Sequence, residues 1–325
     1  MTYSNAPTTV DYVPDEEIPL EESTSEELSE PSPAAMALSP TTSLAAALAA
    51  WIESRKKAGL SANTIKNYGL DIQLLSEYVG GGVAVGQFTT QILNNYLDWM
   101  RNQRGVPCSN KTLDRRITSL KSFFRWLSPA ADLVVDPAQA VVNVSVRSPL
   151  PIILTDTEIE HALAAAKRLR LAEKKPDIRP ATLFTFLIHT CLRKGETARL
   201  AINHLDLSDD AQPHLYVRYA DKRHRHKERK VSLDPTWVAT YHEYAAKYKI
   251  EQRVFPWSVR RLEYLLEDIT NAAGLKKHIS FDMLRWTCAV RDYRSGMEPE
   301  RLRRKMGLSK VQWGEVRRKI IKLTD

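Results

Sequence analysis

The chain has 325 residues and a mass of 37.0 kDa, more than one compact core usually holds, so its length predicts two domains. Hydrophobic residues make up 43% and charged residues 26%, and no apolar stretch approaches the roughly 18 residues of a membrane span. This composition excludes a transmembrane protein and a membrane partner. The amino terminus lacks the basic start and apolar run of a secretory signal, so we expect a cytoplasmic location.

Three cysteines, Cys108, Cys191 and Cys288, lie far apart in the sequence and outside any CxxC pair. This spacing argues against a disulfide framework and against a zinc site built on cysteine. His224 and His226 stand two apart in a basic segment, which favours phosphate contact over metal binding. We therefore expect reduced thiols, no metal and no cofactor.

Charge is divided unequally along the chain. Residues 1–44 carry nine acids and no lysine or arginine, so the remaining residues hold all 47 basic residues against 30 of the 39 acids, a balance of +17. Surplus positive charge on a globular body indicates a polyanionic partner, most simply nucleic acid, with ordinary solubility charge as the alternative. Residues 1–43 have too few apolar anchors to offset the entropy of ordering, which predicts a disordered acidic tail.

Residues 44–128 have the periodicity of four helices, which we expect to form one small bundle. Thr89 is placed to cap the third helix. The fourth helix has an apolar stripe formed by Leu113, Ile117, Leu120, Phe124 and Leu127. Its other faces carry Lys111, Arg115 and Lys121, which are candidates for DNA-backbone contact.

The segment 129–151 contains four prolines and a valine-rich run, which predicts an interdomain linker. A second domain, 152–325, begins with a capping box formed by Thr155 and Glu158. An apolar run then predicts a buried helix that ends just before Arg193. Two alternating segments at 215–219 and 229–233 predict an antiparallel pair of strands around a charged turn. Five helices are predicted after the strands, at about 235–248, 258–273, 280–294, 299–306 and 309–321.

Three segments of this second domain occur in a recognisable order: "TCLRKGETARL", "YVRYADKRHRHKERKVSL" and "FDMLRWTCAVRDYRSG". Together with the basic four-helix module before them, they resemble the tyrosine recombinase or phage integrase family over roughly residues 44–322. The resemblance implies a mainly α fold, with a SAM-like core-binding domain of four helices. It also implies a helical catalytic domain with a small antiparallel β-sheet, and a C-shaped clamp around duplex DNA.

The resemblance also implies roles for particular residues. Arg193 and Arg285 match the two arginines that hold the scissile phosphate, because guanidinium groups donate paired hydrogen bonds to phosphate oxygens. Lys222 matches the lysine that protonates the leaving oxygen, although the turn is about two residues longer than usual and Lys227 remains an alternative. In the family a tyrosine attacks phosphorus to give a covalent intermediate, and no metal takes part.

This sequence departs from the family pattern at three positions. Asp282 stands where the family has the histidine before the second arginine, and Leu308 stands in place of the histidine of a Leu-Gly-His motif. Counting nine residues on from Leu308 reaches Arg317, where the nucleophilic tyrosine is expected, and no tyrosine follows Tyr293. Asp282 is also expected to pair with Arg285 one helical turn away. Arg317 is instead a candidate for DNA-backbone contact.

These departures predict a recombinase-derived protein that binds double-stranded DNA without cleaving it, as an accessory, architectural or regulatory factor associated with the nucleoid. It would bind as a monomer, a homodimer or a higher assembly. One alternative is an active site-specific recombinase with a non-standard nucleophile or one supplied by a partner subunit. Another is a protein-interaction module whose basic body binds acidic partners, including its own tail.

Overall fold

The computed structural model describes residues 37–106, 108–142 and 149–324, and the chain divides into two compact units, Met1–Arg147 and Ser148–Asp325. Most of the predicted acidic tail, residues 1–36, lies outside the described residues. Within the described parts, no helix combines the length and the apolar character that crossing a membrane requires.

The first unit is a four-helix bundle, as predicted. Its helices are α1 (Leu44–Lys57), α2 (Ala62–Val79), α3 (Thr90–Asn102) and α4 (Asn110–Ala130). Each helix follows a serine or threonine whose side chain accepts a hydrogen bond from a backbone amide of the first turn, at Ser43, Ser61, Thr89 and Ser109. Trp51 of α1 packs edge-on against Phe123 of α4, with ring centroids 5.2 Å apart, at the centre of the bundle.

Two predicted boundaries of this unit need correction. Leu38, predicted to be in the disordered tail, packs against the bundle core, and the carbonyl oxygen of Thr42 accepts a hydrogen bond from the Val85 amide at 2.8 Å. The predicted linker begins inside α4, because Pro129 lies in the last turn of that helix. The chain after α4 also returns to the bundle, where Ala131, Ala138 and Val141 are buried.

The second unit is helical with one small sheet, and the strand and helix bounds differ from the predicted ones by a few residues. Its helices are α5 (Asp156–Arg170), α6 (Arg179–Thr190), α7 (Lys194–Arg199), α8 (Pro235–Tyr248), α9 (Val259–Ala273), α10 (Phe281–Arg294), α11 (Pro299–Lys305) and α12 (Lys310–Thr324). The strands β1 (Leu205–Asp206), β2 (His214–Val217) and β3 (Arg229–Ser232) form an antiparallel sheet in that order. The sequence did not predict α7 or β1. The predicted capping box of Thr155 and Glu158 is present at the start of α5.

A separate hydrophobic cluster joins the last three helices of the second unit. Leu302 and Met306 pack with Ile320 of α12 and with Cys288 and Val290 of α10. The last helix therefore docks on its own unit. The cluster includes residues of α10, the helix that also carries Arg285.

Candidate phosphate-binding site

Arg193 is positioned by an abrupt end to α6. Cys191 adopts a left-handed conformation with φ of 54°, which stops the helix, and Arg193 then has an extended backbone at the start of α7. Its backbone amide and its Nη1 donate hydrogen bonds to the Glu196 carboxylate at 2.8 and 3.0 Å. The Arg193 side chain remains 32% exposed, so its guanidinium can still meet a ligand.

Arg285 lies on α10 and is buried. Its Nη1 donates to the carbonyl oxygen of Cys191, and its Nη2 donates to the carbonyl oxygen of Met306 at 2.6 Å. Burial, with a further contribution from the charge of Arg193, lowers the pKa of Arg285 to about 10. The guanidinium therefore stays protonated at neutral pH.

The structure brings Arg193 and Arg285 together at one pocket of about 310 Å³, here called the arginine pocket. It is lined by Arg193, Lys194, Glu263, Ser280, Phe281, Asp282 and Arg285. Lys194 pairs with Glu263 at 2.9 Å, which leaves the two guanidinium groups as the main positive charge of the pocket. Two arginines that line one cavity suit an oxyanion such as a phosphodiester, because guanidinium groups donate several hydrogen bonds.

A buried carboxylate, Glu196, holds Arg193 together with a third arginine, Arg229. The Glu196 side chain accepts hydrogen bonds from Arg193, from Arg229 of β3 at 2.9 and 2.8 Å, and from the Tyr219 hydroxyl at 2.5 Å. Burial opposes ionisation of Glu196, but the hydrogen bonds and charge of Arg229 prevail and lower its pKa to about 2. Glu196 was not among the residues predicted to form the site, although its position three residues after the extended Arg193 is typical of a capping box.

Three consecutive carbonyl oxygens, those of Lys305, Met306 and Gly307, form what we call the carbonyl triplet. They accept hydrogen bonds from three different arginines: Arg229 Nε at 2.7 Å, Arg285 Nη2 at 2.6 Å and Arg193 Nη2 at 3.0 Å. Met306 and Gly307, which directly precede Leu308, thus hold Arg285 and Arg193 through their backbone carbonyls.

Position 307 favours glycine. Its φ is +59°, and a Cβ atom there would lie 2.6 Å from Arg229 Nη1 and 3.3 Å from Arg193 Nη1. A side chain would therefore strain the backbone and push on both guanidinium groups.

Lys222 does not join the two arginines in this structure. It is exposed at the start of a 3₁₀ turn, Lys222–Lys227, and does not line the arginine pocket. The side chain of Asp221 caps this turn by accepting a hydrogen bond from the Arg223 amide at 2.9 Å. Lys227 ends the turn with its Nζ 3.4 Å from His224 Nδ1. The geometry does not favour either lysine over the other.

The three departures from the family pattern occupy different environments. Asp282 is exposed and lines the arginine pocket, but among the described residues it forms no ion pair with Arg285, contrary to our expectation. The Arg285 guanidinium instead turns towards backbone carbonyls. Leu308 packs with Trp313 against the cluster behind the site, and Arg317 is exposed on α12. Tyr293 is half-buried in the same cluster and does not line the pocket.

The three residues of the first unit that are candidates for DNA-backbone contact differ in exposure and in their partners. Lys111 is exposed and Lys121 is half-buried on α4. Arg115 donates to the buried carboxylate of Asp71 at 2.5 Å, where the Ser119 hydroxyl also donates at 2.6 Å. Arg115 therefore has a structural role that its position in the sequence did not reveal.

The cysteines are closer together than their sequence spacing indicates. Cys191 and Cys288 are both buried, and their Sγ atoms and an Asp292 carboxylate oxygen all lie within 4.8 Å of one another. The chain folds α6 against α10, which brings the two thiols into contact range across nearly a hundred residues. Cys108 is half-buried in the other unit.

Comparison with known proteins agrees with this architecture. The model for the phage integrase N-terminal SAM-like domain matches residues 46–130, and the model for the phage integrase family matches residues 153–313. The chain belongs to the phage integrase family. The family of tyrosine recombinases inferred from the sequence motifs is thereby confirmed, as is the predicted mainly α fold with a SAM-like first domain.

Curated relatives of this integrase-family chain are tyrosine recombinases. Tyrosine recombinase XerC of Roseiflexus castenholzii is 29% identical over 150 residues, 46% of each chain, and XerD of Listeria innocua is 27% identical over 149 residues, 46% of this chain and 49% of the relative. XerC of Xylella fastidiosa is 25% identical over 240 residues, 71% of this chain and 77% of the relative. The chain spans about half the length of the first two relatives.

Solved structures share the fold at low sequence identity. A lambda integrase dimer bound to a COC' core site has a TM-score of 0.66 and 14% identity, covering 85% of this chain and 77% of that one. The XerH recombinase bound to its palindromic difH substrate, in a post-cleavage complex, has a TM-score of 0.65 and 16% identity, covering 86% and 82%. At these identities the likeness concerns the fold alone.

Proposed function

We propose that this protein binds double-stranded DNA and has lost the capacity to cleave it, so that it acts as an accessory, architectural or regulatory factor. Its family membership, the DNA bound in a similar structure of lambda integrase and the positive balance of residues 45–325 all support a DNA partner. The arginine pocket would hold one backbone phosphodiester between Arg193 and Arg285.

The observation that carries the proposal is a phosphate-type pocket without a suitable nucleophile. Arg317 occupies the position expected for the tyrosine, and a guanidinium cannot form the covalent intermediate. Among the described residues that line the pocket, Ser280 alone has a hydroxyl group, and its oxygen accepts a hydrogen bond from the Met283 amide at 3.2 Å. No histidine lines this described pocket to activate that hydroxyl.

DNA binding is tested by a gel shift with random duplex over a salt titration. We expect affinity that falls steeply with salt, and a slope lower by about one in Arg193→Gln, because one phosphate contact is lost. Arg168→Gln is a matched control, since each arginine donates from Nη2 to a backbone carbonyl, at 3.0 and 2.7 Å. Absence of binding at low salt, or equal slopes in both variants, would refute the proposal.

Loss of cleavage is tested with a nicked suicide duplex, which traps any covalent protein–DNA adduct. We expect no adduct from the wild-type protein. An adduct that survives denaturation would instead identify an active recombinase with an unusual nucleophile, and peptide mapping would show which residue attacked. The double variant Arg317→Tyr with Asp282→His introduces two of the three family side chains, and an adduct from it would show that the rest of the site is intact.

A further inference from the structure

Two buried thiols lie behind the arginine pocket and are not used by the proposed function. Cys191 and Cys288 are 0% and 1% exposed, and their Sγ atoms lie 3.9 and 3.7 Å from the same carboxylate oxygen of Asp292. Lys305 Nζ donates to that oxygen at 2.6 Å. We call Cys191, Cys288, Asp292 and Lys305 the thiol cluster.

The charges of the thiol cluster favour ionisation of one thiol. Burial alone would raise the pKa of Cys191, but a hydrogen bond from Cys288 and the charge of Lys305 lower it. Burial and the neighbouring Cys191 raise the pKa of Cys288, so Cys288 keeps its proton. A thiolate beside a thiol is the arrangement of a nucleophilic and a resolving cysteine.

Both cysteines are tied directly to the arginine pocket. The carbonyl oxygen of Cys191 accepts from Arg285 Nη1, and Arg193 follows Cys191 by two residues. Cys288 lies one helical turn after Arg285 on α10. Lys305 contributes the first carbonyl of the triplet that holds the arginines. A shift of the backbone at Cys191 would therefore act directly on Arg285 and on the start of the segment that carries Arg193.

One side of the cluster, at Asp292, borders a cavity that neither cysteine lines. A pocket of about 380 Å³ is lined by Asp292 together with Asp156, Ile188, His189, Arg291, Arg294 and Ser295. The cluster is less suited to a metal ion, because Asp292 Oδ2, the oxygen shared by both thiols, already binds the Lys305 ammonium group. A metal cation at that oxygen would meet a positive charge.

We propose that Cys191 and Cys288 are a reversible oxidation site, which forms a disulfide on reaction with a hydroperoxide and thereby weakens binding at the arginine pocket. A disulfide needs its sulfur atoms about 2.05 Å apart, so bond formation draws the two cysteines together. That displacement moves the Cys191 carbonyl away from its place under Arg285. The effect on DNA rests on the proposed function, whereas the disulfide itself does not.

The chemistry balances without a metal or cofactor. The Cys191 thiolate attacks the hydroperoxide, the O–O bond breaks, and a sulfenic acid forms as the alkoxide takes up a proton and leaves as alcohol. The Cys288 sulfur then attacks the Cys191 sulfur, and the hydroxide that leaves takes the Cys288 proton to become water. Two thiols and one hydroperoxide thus give one disulfide, one alcohol and one water.

The test treats the full-length protein with cumene hydroperoxide, blocks remaining thiols and maps peptides without reduction. We expect a mass lower by two hydrogen atoms, a cross-linked peptide joining Cys191 to Cys288, and a duplex affinity lower by about tenfold that dithiothreitol restores. Cys108→Ser should behave as wild type. Cys288→Ser and Cys288→Ala should form no cross-linked peptide, because the Cys191 sulfenic acid then has no resolving thiol beside it, and their duplex affinity should fall less than that of the wild type.

The other possible outcomes each refute one part of the proposal: the oxidation site, its coupling to the arginine pocket, or the DNA binding on which that coupling rests. No cross-link between these cysteines, or a metal ion bound by them in the native mass spectrum, refutes the oxidation site. A cross-link with unchanged duplex affinity refutes its coupling to the arginine pocket. If the reduced protein does not bind duplex at all, the proposed function fails, while the peptide map still decides whether the disulfide forms.

Discussion

Glu196 is the buried carboxylate that binds two arginines, Arg193 of the arginine pocket and Arg229 of β3. It is 6% exposed and binds Arg193, Arg229 and Tyr219 through its two oxygens. Its folded-state pKa of about 2 lies below the ordinary value of 4.5, so the folded protein binds this proton less tightly than the unfolded chain does. The ionised carboxylate therefore stabilises the fold above about pH 4.5, and this contribution is lost as the pH falls towards 2.

We expect Glu196→Gln to remove that pH-dependent contribution. At neutral pH the variant should lose about 3 kcal/mol of the free energy of unfolding, the value that corresponds to the pKa difference. Denaturant unfolding measured between pH 6 and pH 2, roughly the window in which this carboxyl titrates, should show the two curves converging as the pH falls. Glu263→Gln, which removes an exposed ion pair with Lys194, is the control and should change stability little. Parallel curves for wild type and Glu196→Gln would contradict the assignment.

Among the elements, the turn between α11 and α12 fixes the positions of three arginines. The carbonyl triplet binds Arg229 from the sheet, Arg285 from α10 and Arg193 from the start of α7. Three elements that are distant in sequence therefore depend on one short turn. The turn has Leu308 where the family resemblance leads one to expect a histidine, and it has the glycine that lets the guanidinium groups approach the backbone.

A pair of glycine variants separates backbone strain from contact with the arginines. Gly307 and Gly296 both have positive φ, at +59° and +84°, but only a Cβ at Gly307 meets other atoms, while nothing lies within 4 Å of one at Gly296. We expect each alanine variant to lose about 1 kcal/mol of stability from backbone strain. Gly307→Ala should lose more and should also bind duplex more weakly, as measured by thermal unfolding and gel shift. Equal effects of the two variants on duplex binding would show that the arginines adjust freely.

The elements differ in how far the sequence could predict them. The starts of α3 and α5 were predictable, because Thr89 and the Thr155–Glu158 pair act within one helical turn. The convergence of Arg193 and Arg285 could be inferred only through family resemblance. The left-handed Cys191, the carbonyl triplet and the Asp71–Arg115 pair depend on contacts between distant segments, which periodicity and spacing do not encode.

For the molecule taken as a whole, fold and charge favour a DNA partner, and the proposed function adds binding without cleavage. In that proposal the paired arginines, held by the carbonyl triplet, provide the place for a phosphodiester. The positions at which the family resemblance implies two histidines and a tyrosine hold Asp282, Leu308 and Arg317. Backbone binding needs cations and a fixed geometry, whereas cleavage also needs a nucleophile and proton transfer, so the second can be lost while the first remains.

The acidic tail provides a test of this charge balance. The tail carries nine acids, whereas residues 45–325 carry 17 more basic than acidic residues. We therefore expect the tail to compete with DNA for the basic surface. Deletion of residues 1–36 should raise duplex affinity at low salt by about tenfold, equivalent to about 1.4 kcal/mol. The deletion should stop there, because Leu38 packs against the bundle core and Thr42 accepts a hydrogen bond from the Val85 amide.

A full-length variant with all nine acids changed to amides is the matched control, because it keeps the chain and removes its charge. Both variants should bind alike, and their advantage over wild type should shrink as salt rises from about 50 to 300 mM, since screening weakens tail and DNA attraction together. If the deletion tightens binding and the amide variant does not, the tail acts by volume instead of charge. Unchanged affinity in both variants at every salt concentration would remove the competition altogether.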